Sequence, residues 1–236
     1  MGIIGNPAPP VPPGRVWDEE KYERVVYDWL AKIQASQTGQ VVFKRLWTRP
    51  LMIQPYLGSD KQATTTASAR GIAEGYSFNQ CAGNPAAKSN VGVGGGSAVV
   101  IRFTPKLFDN PTGAGDRADE ALLHELVHAV RYMHGQARCR SSAGHMDSEE
   151  EVIAITITNM YSSELARPLR AHHHGYSALA TSPAEFIKKF EKELLAFWFA
   201  QKSMCRELAE LEQPWFNPFS ILSAGRMPDG RVADAV

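Results

Sequence analysis

The stretch that decides the fold is ALLHELVHAVRYMHG, residues 121–135. Its polar trio, His124, Glu125 and His128, stands among leucine, valine and alanine side chains, which is typical of a buried helix. Residues four positions apart lie on the same face of a helix, so the two imidazoles can point at one ion. Two histidines and a glutamate in an apolar helix need polar partners, and a bound metal supplies them. The stretch predicts a buried metal-binding helix over about residues 117–134.

Zinc is the ion that this pattern favours. Zn²⁺ binds imidazole nitrogen at about 2.0–2.1 Å, and its catalytic sites keep three protein ligands and one open position. Glu125 follows the first histidine, where its carboxylate can take a proton from an attacking water and pass it to a leaving amine. The HExxH pattern therefore predicts a zinc-dependent peptidase with one Zn²⁺ ion, the ligands His124 and His128, and Glu125 as general base. The alternative is a chance match in which the histidines make ordinary hydrogen bonds.

A third ligand is expected on the next helix, predicted over about residues 148–165. Twenty-two residues separate His128 from Glu151, enough to finish one helix, turn and return antiparallel. Glu151 shares a helix face with Ala154 and Ile155, and the small alanine allows close approach to the HExxH helix. We therefore predict Glu151 as the third zinc ligand.

Several alternatives to Glu151 stay open. Glu150 is the second choice, whereas Glu149 is expected to face solvent. His145 and His134 are further candidates. Any one of the three glutamates could instead only complement the dipole at the helix N-terminus.

A second polar segment, RPLRAHHHGY, covers residues 167–176. Acyl transfer needs a group that stabilises the oxyanion, and Tyr176, Arg170 and the histidines at 172–174 are candidates. We predict Tyr176 as a catalytic residue. The alternative is a polar loop whose histidines are exposed.

The remaining pattern predicts an α+β fold with a small antiparallel or mixed sheet packed on the HExxH helix. The stretch AVVIRF, residues 98–103, is the clearest strand, and either an internal position or an edge position beside the cleft is open to it. The other predicted elements are a helix at 17–35, a strand pair at 41–47 and 50–56, a loop at 59–71, a long helix from Ser182 to about 211 opened by a capping box, and a loop-like tail.

Composition limits the classes of function. Lys+Arg and Asp+Glu both number 25, so bulk positive charge for binding nucleic acid is absent. No apolar run reaches the roughly 18 residues that span a bilayer, and the start lacks the features of a secretory signal. Five prolines and three glycines make residues 1–14 a predicted linker, followed by a single domain at 15–236. Cys81, Cys139 and Cys205 are expected to be free, with a Cys81–Cys139 bridge as the alternative.

These motifs together resemble a known family, the metallopeptidase toxin and effector domains of bacteria, with NleD-type effectors as members. The resemblance implies a zincin-like fold, a single zinc, and a toxin delivered into another cell. The proline-rich start resembles the junction of a C-terminal extension on a type VI secretion spike (VgrG) protein. The shared positions in this chain are His124, Glu125, His128, Glu150, Glu151, Asn159, Arg170 and Tyr176.

The expected function is a zinc endopeptidase secreted without a cleaved N-terminal signal and delivered into the periplasm or cytoplasm of a target cell, as an antibacterial effector. Expected partners are a protein or peptide substrate, a fused secretion-spike polypeptide and a cognate immunity protein, with no nucleic acid and no membrane span. Two alternatives stay open. One is a metallohydrolase of a small amide or cell-wall peptide, and the other is a non-catalytic, zinc-stabilised binding module.

Overall fold

A computed structural model describes residues 2–3, 19–58, 60–67, 96–138, 140, 142 and 146–224 of the chain. This part contains seven α-helices and one small sheet. The elements are β1 (Gly2–Ile3), α1 (Glu19–Gln34), α2 (Gln37–Phe43), β2 (Leu51–Gln54), β3 (Thr64–Ala67), β4 (Val99–Arg102), a 3-10 turn (Pro105–Phe108), α3 (Ala118–Met133), α4 (Glu149–Glu164), α5 (Pro183–Ala200), α6 (Lys202–Ala209) and α7 (Pro218–Ser223).

The sheet is mixed, in the order β1-β2-β4-β3. β2 runs parallel to β4, with Ile53 opposite Ile101, whereas β3 is antiparallel to β4, with Thr65 opposite Ile101. Alternate residues of β2 and β4 are buried, so one face of the sheet joins the core against α3. The predicted α+β fold with a small mixed sheet on the HExxH helix is confirmed, and the arrangement agrees with a zincin.

The helix α3 carries the HExxH residues and is the most deeply buried element. Glu120 accepts a hydrogen bond from the backbone N–H of Arg117 at 3.2 Å, which satisfies one donor at the start of the helix. Gly135 ends the helix at a φ of +62°, a conformation that favours glycine. Since α3 lies between α4, α1 and the sheet, nearly all its side chains are buried, as the apolar pattern predicted.

The helix α4 begins where its cap places it. The Ser148 side chain accepts a hydrogen bond from the backbone N–H of Glu151 at 3.4 Å, so Glu151 takes the third position of the helix. Further along, the Asn159 side chain exchanges two hydrogen bonds with the backbone of Arg170, at 2.7 and 2.9 Å. This pair fixes the segment after α4 beside the HExxH helix.

Four predictions about elements are wrong. Residues 41–43 end helix α2 instead of forming a strand, because Ser36 caps that helix and burial of Val41 and Val42 outweighs their strand propensity. The segment 59–71 was predicted as a loop but contains strand β3. Of the two positions left open for β4, the structure shows the internal one, because β4 is paired on both sides. The long helix predicted from Ser182 breaks at Gln201 into α5 and α6, and the tail forms α7.

Several predictions lie outside the described residues. These are the structure of the linker beyond residues 2–3, the bridge between Cys81 and Cys139, and His145 as a ligand. Cys205 is a buried free thiol, as expected. No helix in the described ranges has the length and apolar character needed to cross a membrane.

Candidate metal centre

Three side-chain groups from α3 and α4 converge on one point. The two Nε2 atoms of His124 and His128 are 3.1 Å apart. Glu151 Oε2 lies 3.0 Å from Nε2 of His124, and Oε1 lies 3.4 Å from Nε2 of His128. Ligands held at about 2.0–2.1 Å by one tetrahedral ion are about 3.3 Å apart. The three groups therefore fit one zinc-sized ion in chemistry and in spacing.

Hydrogen bonds alone leave this cluster poorly satisfied. Two neutral imidazoles whose Nε2 atoms face each other can share only one proton. The Nδ1 atoms of His124 and His128 have no hydrogen-bond partner among the described residues, and both rings are almost completely buried. The facing Nε2 atoms and the Glu151 carboxylate are also costly to bury without a shared partner. A metal ion at the convergence point would satisfy both Nε2 atoms and the Glu151 carboxylate together.

The electrostatics of the metal-free cluster favour one proton on His128. Burial lowers the pKa of His124 to about 4. Burial acts the same way on His128, but the Glu151 carboxylate, with Glu125 and Glu150, outweighs it and raises the pKa of His128 to about 9. Although burial opposes ionisation of Glu151, the two histidines hold its pKa well below its usual range. A cation entering the site would replace this proton.

Glu125 lies beside the three converging groups, and a neighbouring strand orients it. Its side chain is buried, and the Thr65 hydroxyl of β3 lies 2.7 Å from Oε2 and 3.0 Å from the Glu125 backbone carbonyl oxygen. Burial raises the pKa of Glu125, while the Thr65 hydrogen bond opposes the rise. A carboxylate with a raised pKa is a stronger proton acceptor, as a general base requires.

The two neighbouring glutamates form ion pairs away from the converging groups. Glu150 accepts hydrogen bonds from Arg131 Nε and Nη2 at 2.8–3.2 Å and from the Arg138 backbone N–H at 2.6 Å. Glu149 binds Arg138 Nε at 2.8 Å and is buried, so the expectation that it faces solvent is wrong. His134, another alternative ligand, has its Nε2 3.3 Å from the carbonyl oxygen of Arg45.

A cavity of about 310 Å³ opens beside the converging groups. Tyr176 lines it together with His124 and Glu125. Its ring lies under two cations, 5.1 Å from Arg170 and 5.5 Å from Lys61. Burial, and then the charge of the nearby Asp116, raise the pKa of Tyr176. The structure thus brings Tyr176 and Arg170 to the cavity, and the catalytic role of Tyr176 stays a prediction.

Comparison with known families gives the identification. The model of the Peptidase_M91 family, described as "Effector protein", matches residues 15–172, which are 158 of the 236 residues. The chain belongs to this family. The predicted resemblance to metallopeptidase effectors is thereby confirmed. No curated protein and no solved structure gives a significant match.

In this Peptidase_M91 member, the positions of three residues at the site were not predicted from the sequence. Thr65 was missed because its segment was taken for a loop, although the run Thr64–Ala67 has strand propensity. His173 was considered as one of three histidines that could stabilise the oxyanion, not as a metal ligand, yet its Nε2 lies 3.4 Å from Glu151 Oε2. Asp147 was not considered, and it contacts His173 Nδ1 at 2.5 Å. No local pattern marks this last pair.

Proposed function

We propose that the chain is a zinc-dependent endopeptidase of the effector class. The observation that carries the proposal is the spacing of His124, His128 and Glu151, whose ligand atoms lie 3.0–3.4 Å apart beside the buried carboxylate of Glu125. Two nitrogens and one carboxylate oxygen with an adjacent base form the donor set of hydrolytic zinc sites. Membership in a peptidase family supports the same reaction.

The catalytic chemistry divides between the ion and the chain. When bound, zinc supplies a Lewis acid that lowers the pKa of water and polarises the carbonyl of a peptide bond. Glu125 takes the proton from the attacking water and passes it to the amine that leaves. Thr65, donating to Glu125 Oε2, holds that carboxylate in one orientation. Tyr176 and Arg170 line the cavity as donors for the oxygen on which negative charge develops.

The surroundings of the cavity favour an extended peptide over a small amide. β3 is the last strand on its side of the described sheet, and Lys61 and Ala63, which precede it, line the cavity. An edge strand offers unpaired backbone groups to which an extended peptide can add. Since Thr65 of the same strand contacts Glu125, a peptide bound along β3 would pass close to the general base.

The extent of the catalytic unit and its delivery are further parts of the proposal. We treat residues 15–236 as one domain, because buried residues of α5–α7 belong to the same core cluster as those of α3. The family description as an effector supports action in another cell. Fusion to a type VI secretion spike, antibacterial action and a cognate immunity protein remain predictions from the proline-rich start and the resemblance.

The test combines metal analysis with one substitution. Purified wild-type protein is expected to hold about one zinc per chain, and Glu125→Ala is expected to keep that zinc but lose cleavage of a proteome-derived peptide library. Glu212→Ala, which changes an exposed glutamate, is the matched control and should cleave as wild type does. Absence of zinc in the wild type, or undiminished cleavage by Glu125→Ala, contradicts the proposal.

Delivery needs a separate experiment in cells. Wild type and Glu125→Ala are expressed in the bacterial periplasm and, in parallel, in the cytoplasm. Growth arrest by the wild type alone in one compartment identifies where the antibacterial substrate lies. Equal growth of both strains in both compartments contradicts antibacterial action. The peptidase activity is tested independently by the cleavage assay.

A further inference from the structure

A third imidazole reaches the candidate metal centre from outside the HExxH helix. His173 Nε2 lies 3.4 Å from Glu151 Oε2, close to the spacing of about 3.3 Å between two ligands of one tetrahedral ion. The ligand atoms of His124, Glu151 and His173 all lie within 4.8 Å of one another. The rings of His124 and His173 are stacked, with centroids 6.1 Å apart. His173 thus approaches the candidate metal centre from the side of Glu151 and His124.

A carboxylate behind this ring orients it. Asp147 Oδ2 lies 2.5 Å from His173 Nδ1, and Asp147 Oδ1 lies 2.7 Å from His174 Nε2. When Nδ1–H donates to Asp147, the lone pair of the neutral imidazole is on Nε2, the atom near Glu151. A carboxylate on the second nitrogen is the usual outer partner of a metal-bound histidine. Neither His124 nor His128 has an Nδ1 partner among the described residues.

The backbone of Asp147 is in an unusual conformation, and a side chain supports the backbone of His173. Asp147 has a φ of +42°, a conformation that few residues other than glycine adopt and that clusters at functional sites. The guanidinium of Arg170 donates to the carbonyl oxygens of His173 and Gly175 at 2.5 and 3.2 Å. Two of the Arg170 nitrogens, Nε and Nη2, thus support the backbone of the turn that carries His173.

His173 differs from the helical ligands in its exposure to solvent. Its side chain is 35% exposed, against 7% for His124 and His128. It stands in a turn that ends at Gly175, with a φ of +79°, whereas the other candidate ligands lie on two packed helices. Since the cavity is lined by His173 as well as by His124, a molecule that enters it meets this ring next to the metal centre.

We infer that His173, oriented by Asp147, is a fourth and displaceable protein ligand of the metal in the substrate-free enzyme. The inference rests on the proposed zinc site and adds a device that controls access to it. The attacking water or a carbonyl oxygen of the peptide substrate would compete with His173 Nε2 for the fourth position. The substrate-free metal would then be closed by protein groups, and displacement of the His173 ring would open it.

The first experiment compares His173→Ala with His172→Ala, a neighbour that belongs to neither group of clustered ligand atoms. Zinc affinity is measured by competition with a chromophoric chelator. His173→Ala is expected to bind zinc about 100-fold or more weakly, because loss of a ligand exceeds the 10–100-fold effect of losing an outer partner. His172→Ala should bind as wild type does. Equal affinity of wild type and His173→Ala overturns the inference.

The second experiment reads the coordination directly. In the cobalt-substituted protein, His173→Ala is expected to change the visible absorption spectrum, and azide should shift that spectrum at a concentration at least about tenfold below the wild-type value. Asp147→Asn should lower zinc affinity by about 10–100-fold. A cobalt spectrum and azide response identical to wild type would show that His173 acts only from outside the coordination shell.

Metal stoichiometry separates the remaining outcomes. Two zinc ions per wild-type chain, one of them lost in His174→Ala, would show a separate site at Asp147, His173 and His174 and overturn the inference. Absence of zinc in the wild type would sink the proposed function as well. If Glu151→Ala abolishes zinc binding while His173→Ala leaves affinity and spectrum unchanged, only the fourth-ligand inference fails.

Discussion

Glu150→Gln is expected to lower mainly the stability of the protein, and Glu151→Gln mainly its zinc affinity. Glu150 and Arg131 form a bidentate ion pair whose side chains are 2% and 1% exposed. Removing one partner of a buried pair costs about 3–5 kcal/mol, since the other charge stays buried alone. Arginine cannot release its proton to escape that cost. At about 2–4 °C per kcal/mol for a chain of this size, Glu150→Gln should lower Tm by about 6–20 °C.

The partner of Glu151 behaves differently. Without the Glu151 carboxylate, His128 can give up its proton and become neutral, so Glu151→Gln should lose less metal-free stability than Glu150→Gln. The zinc affinity of Glu151→Gln should collapse. Urea unfolding of the metal-free proteins and zinc competition measure the two effects separately. A stable Glu150→Gln that has lost zinc, beside a Glu151→Gln that still binds it, would refute the assignment of Glu151 as the ligand.

Three further predictions follow from the same contacts. Thr65→Val removes a hydrogen bond that lowers the pKa of Glu125, so the acidic limb of the kcat/KM pH profile should move to higher pH. The rate at neutral pH should fall about tenfold. An acidic limb at the wild-type pH contradicts this prediction. Because the pKa of metal-free His128 is about 9, zinc binding between pH 6 and 8 should release about one proton. Calorimetry in buffers of different ionisation heat measures this release, and zinc binding without proton release contradicts the prediction. Asp119→Asn leaves Arg167 without its buried carboxylate and should lose about 3 kcal/mol of unfolding free energy at neutral pH. Burial favours the neutral form of Asp119, but Arg167 outweighs burial and lowers the pKa of Asp119 to about 2. The difference in unfolding free energy should therefore be complete above pH 3.8 and shrink as the pH falls through 2. A difference that does not depend on pH contradicts this prediction.

The positions of helices α3 and α4 were predictable because the sequence patterns that mark them lie within each helix. The spacing of His124 and His128 by one helical turn needs no tertiary information. The Ser182 capping box likewise marked the start of α5, and Ser182 and Glu185 form it. The family resemblance stated from these motifs agrees with the match over residues 15–172.

Prediction from local sequence failed where burial competes with propensity. Val41 and Val42 have the composition of a strand, yet both are buried in helix α2, which Ser36 caps. Thr64–Ala67 lies in a polar stretch that looks like a loop, but pairing with β4 makes it a strand. In both cases the deciding contacts come from elements elsewhere in the chain.

The sequence by itself predicted the chemistry of the centre: the HExxH pair, Glu125 as its base, and Glu151 as the choice among three glutamates. Only the tertiary structure decided what surrounds that chemistry. Thr65 and Glu125 are 60 positions apart, and Asp147 and His173 are 26 apart, yet each pair is in hydrogen-bond contact. The physical reason is that helical periodicity relates only residues within a few positions, whereas packing of strand, helix and turn sets every longer contact.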